Sequence, residues 1–497
     1  MTTNAWLPLL VLASSLIPGL IIFTLPEKAV AWRITLNLGG ALLKILLLVL
    51  MMIGVFHGVN YEFRVPLVPG IDFVLHADAL SLLFVNLSAV LWLATTVYAI
   101  GYLEDSPNRS RFFGYFSLCV TTTVGLAMAG NLLTFLVFYE ALTLSTYPLV
   151  VHRGTEAARK AGRTYLAYTL FGGVLLLAGT IWLHALTGTL EFVDQGFVRG
   201  LDLDPATLRM VFALLILGVG VKAALVPLHA WLPQAMVAPA PVSALLHAVA
   251  VVKAGAFGVV RIIYDVFGIE FAAELGVTLP LAVLAAVTII YGSVRALFQE
   301  DLKRRLAFST VSQVSYITLG VAIAGPIATI GGLAHLVHQG FMKITLFFCA
   351  GNYAETLGVH KVSELRGIGR RMPWTTAAFT VAAFGMIGVP PVVGFVSKWY
   401  LGLGALEVGQ DWAVYVLAGS SLLNAAYFLP LVRAAWFEPP PDEWPHERDF
   451  GRKETAWMLL LPPLFTALAA LAWGLFASMP GTPLDWVQFI AARKYGS

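Results

Sequence analysis

The chain passes through about 14 apolar stretches, each close to the ~20 residues a helix needs to cross a bilayer, and no polar segment between them is long enough to fold by itself. Backbone groups in hydrocarbon must be satisfied within their own segment, so such a sequence reads as a bundle of spanning helices. The stretches fall near 6–25, 34–56, 78–102, 112–128, 130–151, 164–186, 208–228, 240–264, 278–298, 306–324, 328–352, 374–406, 412–436 and 456–477. Composition agrees, with 59% hydrophobic and 12% charged residues, where a soluble domain carries about a quarter charged. A net charge of +3 leaves no footprint for nucleic acid. The first run, Leu7 to Leu25, lacks a basic segment before it and a small-residue cleavage site, so it reads as a span rather than a removed leader. The expected fold class is therefore an all-α polytopic membrane protein.

Loop charge orients the bundle. Loops after odd-numbered spans carry Lys28 and Arg33, Arg109 and Arg111, "HRGTEAARKAGR", "QEDLKRRL", "HKVSELRGIGRRMP", and Arg448, Arg452 and Lys453. Loops after even-numbered spans are poor in Lys and Arg, and the one between spans six and seven holds Glu191, Asp194, Asp202 and Asp204. The positive-inside rule puts the odd loops in the cytoplasm and both termini outside, in a bacterial inner membrane. The largest polar stretch, "EPPPDEWPHERDFGRKET", is a loop on the cytoplasmic side.

Two segments are not simple helices. Met210 to Val260 is interrupted by "VPLHAWLPQAMVAPAPVS", and Trp374 to Leu406 is too long for one span and holds "GVPPVVGF". Proline removes a backbone donor and breaks the helix. Interrupted spans in two places point to inverted repeats and to a transport site.

Charged and imidazole groups stand inside the apolar runs. Glu140 lies in "LVFYEALTLSTYPLVV", Lys222 in "GVGVKAALVP", and His247 and Lys253 in "SALLHAVAVVKAGAF". His335, His338 and Lys343 lie in "AHLVHQGFMKITLFF", Lys398 in "PPVVGFVSKWYL", and Lys44 in "GALLKILLL". Each central charge costs roughly 2.5–3.5 kcal/mol on insertion scales, so such groups pair, meet water or serve a function. At 100° per residue, His335, His338 and Lys343 share an arc of about 140°, whereas His247 and Lys253 diverge by about 120° on an ideal helix. Ser309, Ser312 and Ser315 form a stripe that either bonds its own backbone or lines a hydrated path. Lys44 either snorkels or functions. His229, beside Trp231 and Pro233, has a structural or a protonic role.

Cofactor chemistry finds no support. Cys119 and Cys349 are far apart with no CxxC, which argues against iron–sulfur and zinc sites. "GVGVKA" matches GxGxxA without the strand and acidic residue of a dinucleotide fold, and there is no Walker A sequence. No flavin, nicotinamide, haem or metal site is expected, and no redox or hydrolytic centre.

Several stretches together resemble one family, the antiporter-like subunits shared by respiratory complex I, Mrp-type cation/proton antiporters and membrane-bound hydrogenases. They are "HADALSLLF", "NLLTFLVFYEALTLSTYPLV", "VGVKAALVPLHAWLPQAMVAPAPVSALLHA", "EDLKRRLAFSTVSQVSY", "HQGFMKITLFFCAG" and "GVPPVVGFVSKWYL", spread over most of residues 76–410. The resemblance implies 14 helices with two inverted five-helix repeats, spans 4–8 and 9–13, and discontinuous spans 7 and 12. The parts would be 1–111 (helices 1–3), 112–264 (first repeat), 278–436 (second repeat) and 437–497 (cytoplasmic loop and helix 14).

The resemblance also implies roles. Glu140 pairs with Lys222, and Lys253, Lys343 and Lys398 continue a hydrated proton line, with His247, His335 and His338 as the imidazoles beside it. No long lateral helix follows the last span, and Lys398 stands where M-type complex I subunits usually have glutamate, so the chain resembles the Mrp D-type component more closely. Where the family often has histidine four residues before the span 11 lysine, this chain has Gln339 next to His338; which of the two relays protons stays open. The implied function is proton translocation in a hetero-oligomeric membrane complex, read as an Mrp-like monovalent cation/proton antiporter that moves protons against a cation; whether that cation is Na+ or K+, or only H+ moves, stays open. The alternatives for that complex are an Mrp-like antiporter and an energy-converting oxidoreductase.

The orientation is testable. Cysteines introduced at Arg163, Arg304 and Arg371 should be shielded from an impermeant thiol reagent added outside intact cells. Labelling of all three from outside would reverse the topology.

Overall fold

The protein's structure, a computed structural model, describes residues 3–103, 106–201, 203–451 and 453–495. Asp202 and Arg452, two of the loop charges used above, lie outside the described residues. Two helices, α1 (Thr3–Thr24) and α2 (Val30–Phe56), lead into a hairpin of β1 (Glu62–Val68) and β2 (Ile71–His76). Then come α3 (Ala79–Tyr102), α4 (Arg109–Ala127), α5 (Leu132–Val150), α6 (Glu156–Thr187) and α7 (Pro205–Lys222). A region of short pieces follows: α8 (Trp231–Gln234), α9 (Ala240–Ala244), a π turn (Leu245–Val249), α10 (Val251–Arg261), a second π turn (Ile262–Phe267) and α11 (Ile269–Glu274). The rest is α12 (Thr278–Leu297), α13 (Leu302–Ala322), α14 (Pro326–Leu357), α15 (Ile368–Arg371), α16 (Pro373–Ile387), α17 (Val393–Glu407), α18 (Trp412–Phe437), α19 (Trp457–Leu475) and α20 (Pro483–Tyr495).

Eleven of the predicted spans are helices long and apolar enough to cross a membrane, counted among the described residues. The remaining predicted spans are α4, α13 and the broken pair α16–α17. Local chemistry sets the starts: Asp78, Asn131, Thr155, Asp204 and Asp301 each accept a backbone N–H from the third residue beyond, which satisfies one of the orphan donors of a helix N-terminus. Because Thr155 caps α6, that helix begins at Glu156, and most of the basic stretch "HRGTEAARKAGR" is helix rather than the loop expected. The β1–β2 hairpin, α20 and the short helices α11 and α15 have no counterpart in the sequence reading.

α14 and the segment from Ala240 to Phe267 are buried all round. A helix apolar on every face belongs in the centre. The outer helices keep bare apolar faces instead, as on α2 with Leu42, Leu46, Val49 and Ile53. Such faces suit lipid or neighbouring membrane subunits.

The seventh and twelfth spans are broken, as their prolines indicated. α7 stops at Lys222, earlier than the predicted end, and the chain turns through Ala224 at φ 55° and a cis Val226–Pro227 bond. α16 stops at Ile387, and the chain turns through Gly388 at φ 94° and a cis Pro390–Pro391 bond into α17.

At the face opposite the basic loops, α20 is held by a buried ion cluster. Arg261 donates to Asp78 (2.7 and 2.9 Å), Asp265 (2.6 Å) and Ser81 (2.8 Å). Lys494 of α20 bonds Asp265 and, at 2.5 Å, Asp194. Burial pulls the Lys494 ammonium down, but Asp265, Asp78 and Asp194 outweigh it and hold the group above the ordinary lysine value. A raised folded value gives stabilisation that is complete below lysine's ordinary ~10.4 and fades above it. Docking of α20 should therefore be constant through neutral pH and loosen only in strong alkali. Lys494→Ala strands the Asp265 carboxylate beside Arg261 alone. Breaking a buried pair costs about 3–5 kcal/mol, and the retained Arg261 contact puts this case at the low end. Hydrogen exchange over residues 483–495 should rise sharply; unchanged protection would remove the cluster as the anchor.

Candidate functional site

The first break holds Lys222. Its ammonium donates to the Tyr139 carbonyl oxygen of α5 and lies 3.4 Å from the centroid of the Tyr139 ring. The Tyr139 hydroxyl donates to Gly218 O at 2.8 Å, which ties α5 to α7 and sets the ring under the ammonium. Glu140 and Lys222, expected to pair, make no ion-pair contact in the structure. The reason is the direction of the carboxylate. Glu140 points towards α6, where a methyl added to Gly173 would stand 1.9 Å from Oε1. That Oε1 is buried and has no hydrogen-bond partner among the described residues. Lys222 and Glu140 still influence each other through space.

The centre of the bundle holds a run of polar atoms without partners. His247 sits in the π turn, stacked on Phe347 at 4.5 Å, with neither ring nitrogen bonded. The π turn replaces the ideal helix from which the His247–Lys253 divergence was estimated. Lys253 Nζ, His338 Nδ1 and both amide atoms of Gln339 are likewise buried and unpartnered. Lys253 lies within electrostatic reach of His335, His338 and Lys343. Buried polar groups without partners are costly and need an explanation. Here they lie on α14, on the π turn stacked against it, and on α10, with Lys253 of α10 as the electrostatic link to α14.

The second break organises a connected circuit. Lys343 of α14 donates to Ser309 Oγ at 2.7 Å. Ser309 and the Tyr427 hydroxyl are 2.9 Å apart, and that hydroxyl donates to Asn424 Oδ1 at 2.5 Å. Asn424 Nδ2 donates to Met386 O at 3.0 Å. The same carbonyl accepts from Lys398 Nζ at 2.9 Å and from Gln313 Nε2 at 3.3 Å. Lys398 also donates to Ile387 O (2.8 Å) and Ser421 Oγ (3.0 Å). His335 Nε2 meets Gln313 Oε1 at 3.0 Å, and its Nδ1 meets Ser397 Oγ at 2.8 Å. Helix ends leave their last carbonyls free, so the break at Ile387 supplies the acceptors for Lys398.

Sequence reasoning thus names His335, Lys343 and Lys398 but misses their connectors Gln313, Ser397, Asn424 and Tyr427. One signal was legible: Ser420, Asn424 and Tyr427 fall at spacings of four and three on one face of an apolar helix. Of the serine stripe, Ser309 joins the circuit, Ser312 bonds Ser293 of α12 at 2.8 Å, and Ser315 bonds its own helix at Val311 O. His229 packs edge-on against Tyr291 at 4.9 Å, and its buried Nδ1 has no hydrogen-bond partner among the described residues. No cluster of three His, Cys, Asp or Glu able to hold a metal occurs among the described residues.

Comparison with known proteins places the chain in a family. The family described as NADH:quinone oxidoreductase/Mrp antiporter, TM, matches residues 129–424, and that described as NADH-Ubiquinone oxidoreductase (complex I), chain 5 N-terminus, matches residues 69–113. The chain belongs to this NADH:quinone oxidoreductase/Mrp antiporter family of membrane subunits. It is 37% identical to NADH-quinone oxidoreductase subunit N of Desulforudis audaxviator (strain MP104C) over 419 residues, 82% of each chain. It is 28% identical to the D-type component of the Na(+)/H(+) antiporter of Bacillus subtilis (strain 168) over 418 residues, 84% of this chain and 81% of that one. Its fold matches a chain of the Mrp complex from Dietzia sp. DQ12-45-1b with a TM-score of 0.88 at 23% identity, covering 100% of this chain and 98% of that one.

The Glu140–Gly173 contact gives a test that needs no transport assay. Gly173→Ala must displace the Glu140 carboxylate, the far end of a flexible side chain, so the loss falls at or below the low end of the ~1–3 kcal/mol that overpacking costs. Thermal unfolding should show that loss in the single variant and its recovery when Glu140→Ala is added, a coupling expected only of residues in contact. Additive effects would place the carboxylate elsewhere.

Proposed function

We propose that the chain is a proton-translocating, non-redox subunit of an Mrp-like, multi-subunit monovalent cation/proton antiporter in a bacterial inner membrane. The observation that carries the reading is the hydrogen-bonded circuit from Lys343 to Lys398. Its ends are amines, which bind and release protons, and its middle consists of hydroxyls and amides, which hold geometry without carrying fixed charge. Lys222, Lys253, His247 and His338 extend the line towards Glu140. The two ends, Glu140 and Lys398, are only half-buried while the groups between them are buried. These are the places where neighbouring membrane subunits take up or pass on charge. At an effective ε near 20, a unit charge several ångström away is worth a few kcal/mol, enough to load or unload an amine. The proposal includes the division into 1–111, 112–264, 278–436 and 437–497, both termini outside, and a monovalent cation, Na+ or K+, as the exchanged ion.

A second reading has its own support. The 37% identity to an NADH-quinone oxidoreductase subunit N favours a complex in which redox chemistry on other chains drives the same proton line. Purification of the intact complex separates the two: iron–sulfur or flavin subunits would favour the second, small redox-free membrane subunits the first.

For either complex, Lys398→Ala should lower proton flux in reconstituted vesicles on the order of 100-fold, the scale of a lost acid–base group. Tyr427→Phe, which removes the hydroxyl between Ser309 and Asn424, should lower it strongly at normal expression. His338→Gln should slow flux more than Gln339→Ala if the imidazole relays, and less if the amide holds the relaying water. Near-normal flux in both Lys398→Ala and Tyr427→Phe would sink the proton-line reading.

A further inference from the structure

Lys44 belongs to none of the above. It is residue fifteen of a 27-residue helix, about 20 Å from either end at 1.5 Å per residue. A lysine stem spans only a fraction of that, and the residue is 0% exposed, so snorkelling is excluded. Its neighbours on α2, Leu42, Leu43 and Leu46, face outward, while Arg33, Asn37, Ala41, Lys44 and Leu48 share the inward face. Gly40 makes this possible, since a methyl there would stand 2.4 Å from Ser14 O of α1.

A hydrogen-bonded seam runs from the basic end of α2 to the Lys44 amine. Arg33 Nη1 donates to Ser110 Oγ at 2.8 Å. Asn37 Nδ2 donates to Arg33 O (2.9 Å) and its Oδ1 accepts from Ser117 Oγ (3.1 Å). Thr121, one turn further on α4, bonds back to Ser117 O at 2.9 Å, and its hydroxyl is 2.7 Å from Ser15 Oγ of α1. Lys44 Nζ donates to that Ser15 Oγ at 2.8 Å and lies 5.4 Å from the Trp92 ring centroid. Trp92 Nε1, and Ser88 Oγ and Thr96 Oγ1 one turn either side on α3, are buried polar atoms without partners among the described residues.

The arrangement repeats what the central line does with Lys343. There too an amine in a fully buried setting donates to a serine on a second helix, and a hydroxyl from a third helix meets that serine. A lysine kept for packing alone would find a carboxylate. Among the helices packed on α2, α1 has no ionisable side chain, α3 has Tyr98 and Tyr102, and α4 has Arg109, Arg111, Tyr115 and Cys119. Arg33 is the other ionisable group on α2, three turns away, and Arg493 of α20 reaches only the far end of α2 at Val55 O. None of these is acidic.

We infer that Lys44 is a second proton-binding site, separate from the central line, whose amine is held by the Ser15 and Thr121 hydroxyls where α1, α2 and α4 meet. The inference rests on the proton-translocating reading, and the experiment keeps the two apart. Proton flux and its pH profile are measured with the intact complex in vesicles for Lys44→Met, Lys44→His, the pair Ser15→Ala with Thr121→Val, Ser15→Thr, and Lys222→Ala. Lys44→Met and the hydroxyl-free pair should lower the flux without abolishing it, since the central line stays intact, and Ser15→Thr should retain it. Lys44→His should retain flux with its profile moved to lower pH, because imidazole titrates about four units below an amine; a packing role would not move the profile. If Lys44→Met fails to assemble, the hydroxyl-free pair decides, since it leaves Lys44 in place. Unchanged flux and pH profile in that pair overturns the inference, whatever Lys44→Met does. Full flux in Lys222→Ala would instead overturn the parent reading.

Discussion

An ammonium inside a bilayer needs acceptors, and a regular helix has few to offer because most of its carbonyls are already used. The fold resolves this by stopping helices. At Ile387 the helix ends in mid-protein, and the carbonyls of Met386 and Ile387 become free for Lys398. Met386 O then draws Asn424 and Gln313 as well, so one broken turn gathers α13, α17 and α18 around a single oxygen. The circuit to Lys343 and to His335 follows from that gathering. Without the break, the lysine would have no place and its connectors no reason to meet.

The sequence made the framework legible because the bilayer leaves few choices. Runs of about 20 apolar residues read as spans, and "VPLHAWLP" and "GVPPVVGF" inside two over-long runs pointed to breaks, although Pro462 and Pro463 inside the continuous α19 show that a proline pair alone does not decide it. The charges in those runs were conspicuous for the same reason. What stayed hidden was direction. Nothing in the linear order says that the Lys222 ammonium turns to Tyr139 O, or that Glu140 faces Gly173 instead of Lys222. Such choices come from helix rotation, which the packing of small residues decides.

Neutral connectors were hidden for a different reason. Tyr427, Asn424 and Gln313 cost far less in an apolar helix than a charge does, so they do not stand out one at a time. They become visible only as a stripe. The Asp78–Arg261–Asp265–Lys494 cluster escaped because its members come from α3, α10, a π turn and the last helix. Long-range closure of this kind has no periodicity in the sequence to reveal it. The β1–β2 hairpin was missed because its strands are short and partly polar, and lie between two long apolar runs that dominate any reading.

The two breaks use their lysines differently, yet the physics is common. Lys222 is the last residue of α7, before the break, whereas Lys398 is on α17, after it, and reaches back to the end of α16. In both cases the cation sits by the C-terminal end of a half-helix, where the backbone dipole favours positive charge. The half-helix therefore supplies part of what a carboxylate would otherwise give. That explains how Lys222 can stand without touching Glu140: its charge is met by the end of its own helix, the Tyr139 carbonyl and the Tyr139 ring. A partner that stabilises without contact can be strengthened or weakened by small movements of charge nearby. A tight ion pair in a dry interior would hold the proton too firmly for that. Distance between Glu140 and Lys222 is thus compatible with regulation of the amine by the carboxylate, and it leaves Glu140 free to answer to charge outside the subunit.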